Sequence, residues 1–281
     1  MAEATPFDAL AYAWQFGGPD HAASLCHPDA TWIVDGRPYH GRAEIGAYLR
    51  SIAGAPGGVR VLVRRAFHDL REPDWWVAEW AVRVGVGDGR WREVEQGVML
   101  CFNAGQITHL RIHNDHRSFR DVEEDAPLRE EPWPPAIPPR TRDMTYDEIL
   151  AVHYRHVLQG WARGDAETVV SCHAPQSVIQ TSFEVVRGHD QLRRAVEAYY
   201  ENYADTVVTV HRVVYSGDYL AIHQTWSCTN RKTGVRADDH DLNIGVMQDG
   251  RFWRWREYYD STKSAQTLEQ TVFGVKRADD R

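Results

Sequence analysis

The sequence predicts an α+β chain built from two tandem copies of one domain. Three observations carry that expectation. A proline-rich break divides the chain, landmark residues recur at matched spacing on either side of it, and each half places its helices before a run of hairpin-linked strands.

The break is residues 121–143, DVEEDAPLREEPWPPAIPPRTRD. Prolines at 127, 132, 134, 135, 138 and 139 exclude a helix interior or a central strand, and favour an extended, semi-rigid connection. The predicted division is copy one over 1–120, a linker over 121–143, copy two over 144–270 and a tail over 271–281. The landmarks follow one order in both halves. Cys26-His27 and Cys172-His173 each precede a strand, and Gly41 and Gly188 each open a helical stretch. Gly105 and Gly250 mark the last hairpin, and Asp115 and Asp260 follow ten residues later. From cysteine to aspartate is 89 residues in the first half and 88 in the second. Matched order and spacing point to duplication, with a period far too long for a solenoid.

In copy one, an apolar helix is expected over 7–16 and a helical turn near 20–26. A strand follows at 31–34. Ile45, Tyr48, Leu49 and Ile52 give helical spacing over 42–52. Strands are expected near 59–68, 75–86, 91–103 and 106–118, with Gly87-Asp88-Gly89 and Asn103-Ala104-Gly105 as turns. Copy two repeats the order, with helices at 146–159, 167–172 and 191–203 and a short strand at 178–181. Its meander covers 206–216, 219–229, 236–248 and 251–261. Thr145 and Glu148 form a candidate capping box.

Composition narrows the function. Hydrophobic residues make up 43% and charged residues 26%, a globular balance. A formal net charge of −8 argues against nucleic acid or an anionic membrane as partner. No basic leader or membrane-length apolar run is present, so a cytoplasmic location is expected. The four cysteines form no C-x-x-C pair, and no phosphate loop, G-x-S-x-G elbow or H-E-x-x-H stands in the chain. No cofactor and no metal are expected. In Asp238-Asp239-His240-Asp241 the neighbours alternate faces of a strand, so the four cannot hold one ion. Eleven Trp and twelve Tyr exceed what a core needs and suit a pocket for a flat or apolar ligand.

Asp249-Gly250-Arg251-Phe252-Trp253-Arg254-Trp255-Arg256-Glu257-Tyr258-Tyr259-Asp260 resembles the closing hairpin of the SnoaL-like (nuclear-transport-factor-2-like, ketosteroid-isomerase-like) superfamily. Ala104-Gly105-Gln106-Ile107, ending in Ile112-His113-Asn114-Asp115, is a worn version of it. The resemblance covers nearly all of both halves. It implies two cone-shaped domains, each with helices packed in a curved, mostly antiparallel sheet, pairing as an intrachain pseudo-dimer with further homo-oligomers open. It also implies a deep apolar pocket with catalytic acids, histidines or tyrosines on inward-facing strand positions, where burial raises a carboxyl pKa toward neutrality.

Glu257 is the first catalytic candidate. It resembles in position an acid used by limonene-type epoxide hydrolases, and alternation sets Trp253, Trp255, Glu257 and Tyr259 on one face. The alternative is an outward face with an arginine partner. His223, on the strand that also carries Trp226, is a candidate acid–base group. His223 and Thr225 stand where such epoxide hydrolases carry arginine and aspartate, so that constellation is not intact. In copy one, Asp35 resembles the position of the ketosteroid-isomerase base, with Tyr12 as a hydroxyl donor and the Asp-Gly turn as the competing reading. Glu79, flanked by Trp75, Trp76 and Trp80, and His113 complete the catalytic candidates. Tyr12, Trp80, Trp226, Trp253, Trp255 and Tyr259 are the expected substrate-binding residues. Asp115 and Asp260, matched in both copies, fit a shared structural role.

The expected function is a cofactor-independent acid–base enzyme, an isomerase, dehydratase or cyclase, acting on a small, largely apolar metabolite. Two alternatives stay open: an epoxide hydrolase or ether-ring-forming cyclase with altered acids, and a non-catalytic binding or scaffold protein.

Overall fold

Each copy opens on a threonine-capped helix. Thr5 and Asp8, and Thr145 and Glu148, form reciprocal capping boxes that satisfy donors at the helix start. In a computed structural model, which describes residues 4–54, 57–182 and 184–259 (side chains of 116 and 117 excepted), these helices are α1 (Pro6–Tyr12) and α4 (Tyr146–Tyr154). Neither continues as the single α-helix the sequence predicts. Both pass into a π-helical turn, Ala13–Gly17 and Arg155–Gly160. Such turns rotate the side chains that follow and occur often at functional sites.

Copy one continues with α2 (Gly18–Ser24), β1 (Cys26–Val34), β2 (Arg37–His40), α3 (Gly41–Ala53), β3 (Val59–His68), β4 (Trp75–Gly87), β5 (Arg90–Asn103) and β6 (Gln106–Glu123). Copy two follows with α5 (Ala166–Ser171), β7 (His173–Gln180), β8 (Val185–Arg187), α6 (Gly188–Asn202), β9 (Tyr203–Tyr215), β10 (Leu220–Asn230), β11 (Arg236–Gln248) and β12 (Arg251–Tyr258). The sheets have one topology: β2-β1-β6-β5-β4-β3 and β8-β7-β12-β11-β10-β9. The β1/β6 and β7/β12 pairs are parallel and the rest antiparallel. The fold is therefore α+β in two repeats. The edge strands β2 and β8 escape the sequence reading because four and three residues carry no measurable period.

The glycines that open α3 and α6 are held by one constraint in both copies. Gly41 and Gly188 sit at φ +69 and +68, and a Cβ there would lie 3.0 Å from the Pro28 carbonyl oxygen or 2.9 Å from that of Pro175. Left-handed backbone pressed on a carbonyl leaves little room for a side chain.

Each sheet buries its inner face against its helices. Copy one packs Phe7, Leu10, Trp14, Ile45 and Leu49 on Trp32, Trp80, Val82 and Val98. Copy two packs Ile149, Leu192, Val196 and Tyr199 on Ile222, Phe252 and Trp255. Leu192, Ala195, Val196 and Tyr199 form the i, i+3, i+4, i+7 stripe that makes α6 amphipathic. A fully buried Leu or Phe contributes about 2 kcal/mol.

The chain divides into two compact units between Glu130 and Glu131. Strand β6 continues to Glu123, three residues into the stretch read as linker. Each unit grips its own end of that stretch. In copy one, buried Arg83 binds the Glu93 carboxylate and the carbonyls of Glu124 and Ala126. In copy two, buried Arg254 binds Glu131 at 2.9 Å and stacks on Trp133 at 4.7 Å. Asp260 and the tail over 271–281 lie outside the described residues.

Candidate functional site

The central strands of copy two set side chains in register on the helix-facing side of the sheet. Gln224 of β10 lies opposite Asp241 of β11, and Trp226 opposite Asp239. Asn243 lies opposite Glu257, and Gly245 opposite Trp255. Period-two alternation brings this set inward and sends Asp238, His240, His223 and Thr225 to the other face.

The inward set lines a cavity of about 60 Å³. That is room for a few water-sized groups, at ~10–15 Å³ for each. Carboxyls of Asp239, Asp241 and Glu257 line it, with Gln224 and Cys228. The aromatic wall is Trp161, Tyr199, Trp226, Trp255 and Tyr259. Trp161, Tyr199 and Trp226 stand mutually perpendicular, with centroids 5.4–6.0 Å apart and interplanar angles of 80–86°.

Burial governs the electrostatics. It raises the Glu257 carboxyl from 4.5 to about 7, reinforced by the nearby Glu184 charge and opposed by a 3.1 Å hydrogen bond from the Trp255 indole N–H. Burial also raises Asp241 well above the usual carboxylate range, helped by the Asp239 and Glu257 charges and opposed by its hydrogen bond with Gln224. Gln224 is held in turn by His153 on α4, whose Nε2 lies 2.9 Å from its Oε1. Burial lowers His153 to about 4, so the ring is neutral at pH 7 and its Nε2–H donates.

The π-helical turn contributes His156 to the cavity wall. Its Nε2 accepts from the Trp161 indole N–H at 3.1 Å and lies 3.1 Å from His173 Nε2. Burial, then the His173 and His153 charges, hold His156 well below its ordinary pKa. The neutral ring therefore carries its proton on Nδ1, which has no hydrogen-bond partner among the described residues.

Of the residues expected from sequence, Glu257, Trp226, Trp255 and Tyr259 line this cavity together. His223 does not. It is buried on the opposite face, its ring 4.9 Å from His211, because Gln224 and Trp226 take the inward positions on its strand. Trp253 does not line the cavity either. The register shifts between Val246↔Arg254 and Met247↔Phe252, and Trp253 falls in that bulge, which breaks the alternation.

The copy-one candidates are structural in placement. Glu79 is fully buried and ion-paired with Arg65 directly across the strand pair, on the face opposite Trp80. His113 shares that outer row, paired through Gly97. Asp35, at φ +47 in its turn, accepts from the Asn114 backbone N–H at 3.1 Å and from the Asn114 side-chain amide. Trp80 is core, edge-on to Phe7 and donating to Gln96, and is not a ligand wall. Tyr12 is 63% exposed and rests on Phe16, far from the donor role expected of it.

Register shows what separates the copies. Trp80, Gln96 and Asn114 lie in line in copy one, as Gln224 and Asp241 do in copy two. From that row, Val94 stands for Asp239, Gln96 for Asp241 and Ile112 for Glu257. Copy one thus lacks all three carboxyls. The sequence reading missed Asp241, Asp239, Gln224, His153, His156, Trp161 and Tyr199. For the aspartates a signal existed, since the i, i+2 spacing in Asp239-His240-Asp241 puts two carboxyls on one face.

A SnoaL-like domain matches twice, over residues 7–110 and 154–255, more than half the chain. The chain belongs to the SnoaL-like domain family. Among curated proteins none matches it. Solved structures similar to it include an LEH-like epoxide hydrolase of M. tuberculosis, 21% identical, covering 44% of this chain and 91% of that one at TM-score 0.38. TsrD of Streptomyces laurentii is 19% identical, covering 45% and 98% at TM-score 0.40. A ketosteroid isomerase-like protein of Erwinia carotovora atroseptica SCRI1043 is 18% identical, covering 40% and 94% at TM-score 0.35. No helix among the described residues is long and apolar enough to cross a membrane.

Proposed function

We propose that copy two is a cofactor-independent acid–base catalyst, an isomerase, dehydratase or cyclase, with Glu257 as its proton-transfer group. The observation that carries this is a carboxyl with a pKa of about 7 on the wall of an aromatic-lined cavity. Such a group both accepts and returns a proton near neutral pH. Asp241, kept protonated by its surroundings, donates a hydrogen bond to an oxygen on which charge develops. The His153–Gln224 pair positions Asp241.

The test is turnover of small carbonyl and hydroxyl compounds by the full chain and by Glu257→Gln. The variant should lose about 10²–10⁴ in kcat. Undiminished turnover by the variant would sink the reading.

Two carboxyls in one cavity favour a second reading, the opening of an epoxide or closing of an ether ring. One would take a proton from the attacking water or hydroxyl, and the other would give one to the epoxide oxygen. Conversion of epoxides, but not of carbonyl compounds, would select it.

A further inference from the structure

We propose that Trp226 is the specificity-determining residue of the copy-two cavity, held by the Tyr199 hydroxyl so that its ring limits the size of the substrate. The inference deepens the proposed function and rests on this cavity being the substrate site.

Rings set the size of the cavity. At about 60 Å³ it lies well below the roughly 300–1,000 Å³ of a site for a drug-sized ligand. Trp161, Tyr199 and Trp226 wall it, each edge-on to the other two at 80–86°. Edge-to-face pairs of this kind attract one another and hold the wall together.

The three rings are not equally fixed. Trp161 and Tyr199 belong to the buried core of copy two, at 7% and 1% exposure. The Trp161 indole N–H donates to His156, and Tyr199 packs on Tyr200 and Tyr203 with centroids 5.6 and 4.9 Å away. Trp226 packs against that core and stays half-buried. Among the wall residues it shares partial exposure with Asp239, its register partner on β11, and with Glu257. A half-buried ring is the part of the wall that can yield to a ligand.

One polar contact fixes that ring. An indole has a single donor, and that of Trp226 goes to the Tyr199 hydroxyl at 2.9 Å. Burial raises Tyr199 well above its ordinary pKa, so the hydroxyl keeps its proton at neutral pH. The same oxygen lies 3.0 Å from Thr206 Oγ1 on β9. It therefore accepts from Trp226 and can donate to Thr206, one consistent chain from the cavity wall to the neighbouring strand.

Copy one shows the same position without the ring. From the row that aligns Trp80 with Gln224, Val82 stands for Trp226 and Val94 for Asp239. Val82 is a core residue at 3% exposure. The indole and the carboxyls thus occur in the same copy, as parts of one site.

The experiment presents the full chain with two neutral ketones, acetone and cyclohexanone. Binding is read by ligand-observed NMR and catalysis by exchange of their α-hydrogens for deuterium. The parent should prefer acetone. One methylene in an apolar pocket changes preference by about 10–200-fold, so Trp226→Ala should shift the ratio at least tenfold toward cyclohexanone. Tyr199→Phe keeps the ring and removes only the acceptor, so it should shift the ratio severalfold the same way. A residue that merely fills space would not respond to that change. Trp226→Phe, the milder substitution should the alanine variant fail to fold, should fall between parent and alanine. Folding is checked by circular dichroism and thermal unfolding. Equal or absent binding of both ketones by the parent would overturn the inference. So would an unchanged ratio in Tyr199→Phe or in a folded Trp226 variant. Shifted binding with no exchange by the parent would support it and count against catalysis. Exchange that is lost in Glu257→Gln, with a ratio that no Trp226 or Tyr199 variant moves, would overturn it and leave the acid–base reading standing.

Discussion

At the scale of single residues, the candidate site costs the fold stability. Glu257 has its pKa raised from 4.5 to about 7, so between those values the folded chain binds more protons than the unfolded one. That stabilisation is complete below pH 4.5 and is lost as pH rises through 7. Glu257→Gln removes the burden of a buried charge at high pH. It should stabilise the protein by up to about 3 kcal/mol at pH 8 and by almost nothing at pH 4, read from urea unfolding at both pH values. Equal effects at the two pH values would mean that Glu257 is not strained by burial. A residue that is both costly to the fold and central to the cavity fits a functional role better than a structural one.

At the scale of elements, α4 and its π-helical turn set buried, neutral histidines beneath the cavity. His153 is lowered to about 4 and His156 well below its ordinary value, with His173 of β7, lowered to about 3, against them. Burial is the first cause in each case. The unfolded chain protonates these rings near pH 6.5 while the folded chain does not, so their contribution is full above that pH and declines below it. Each ring costs about 1.4 kcal/mol per pH unit between its unfolded and folded pKa. Glu257 titrates in the opposite sense, so the effect is cleanest in Glu257→Gln. That variant should lose stability more steeply between pH 6 and pH 4.5 than the parent, as measured by denaturant midpoints. Most elements were legible because their apolar periods are clear, such as the stripe on α6. The π-helical turns were not, since a change of winding leaves no trace in apolar spacing.

At the scale of the whole molecule, duplication has been followed by divergence. Both copies keep the strand order, the capped first helix and the left-handed glycine ahead of the third helix. Copy two keeps three carboxyls around a cavity, and copy one replaces them with valine, glutamine and isoleucine. Its Trp80, Gln96, Asn114 and Asp35 form one hydrogen-bonded string, an arrangement that stabilises rather than reacts. Asp35→Ala should therefore cost about 1–3 kcal/mol of stability and change turnover less than twofold, checked by thermal unfolding beside the activity assay. A large loss of turnover without loss of stability would restore copy one as a reacting centre.

The sequence by itself determined the α+β class, the duplication, the proline-rich break and the choice of Glu257 as a candidate, which the fold then sets on a cavity wall. Those follow from local chemistry: proline geometry, turn glycines, apolar periods and a motif contiguous along one strand. Only the tertiary structure decided which face of each strand turns toward the helices. That choice separates Gln224 from His223, and a one-residue bulge at Trp253 changes it within a single strand. It also decided which charges are compensated. Glu79 meets Arg65 across a strand pair, whereas Glu257 meets further carboxyls. Both are glutamates on aromatic-rich strands, and only the neighbours brought by pairing and packing, distant in sequence, set their ionisation and so their chemistry.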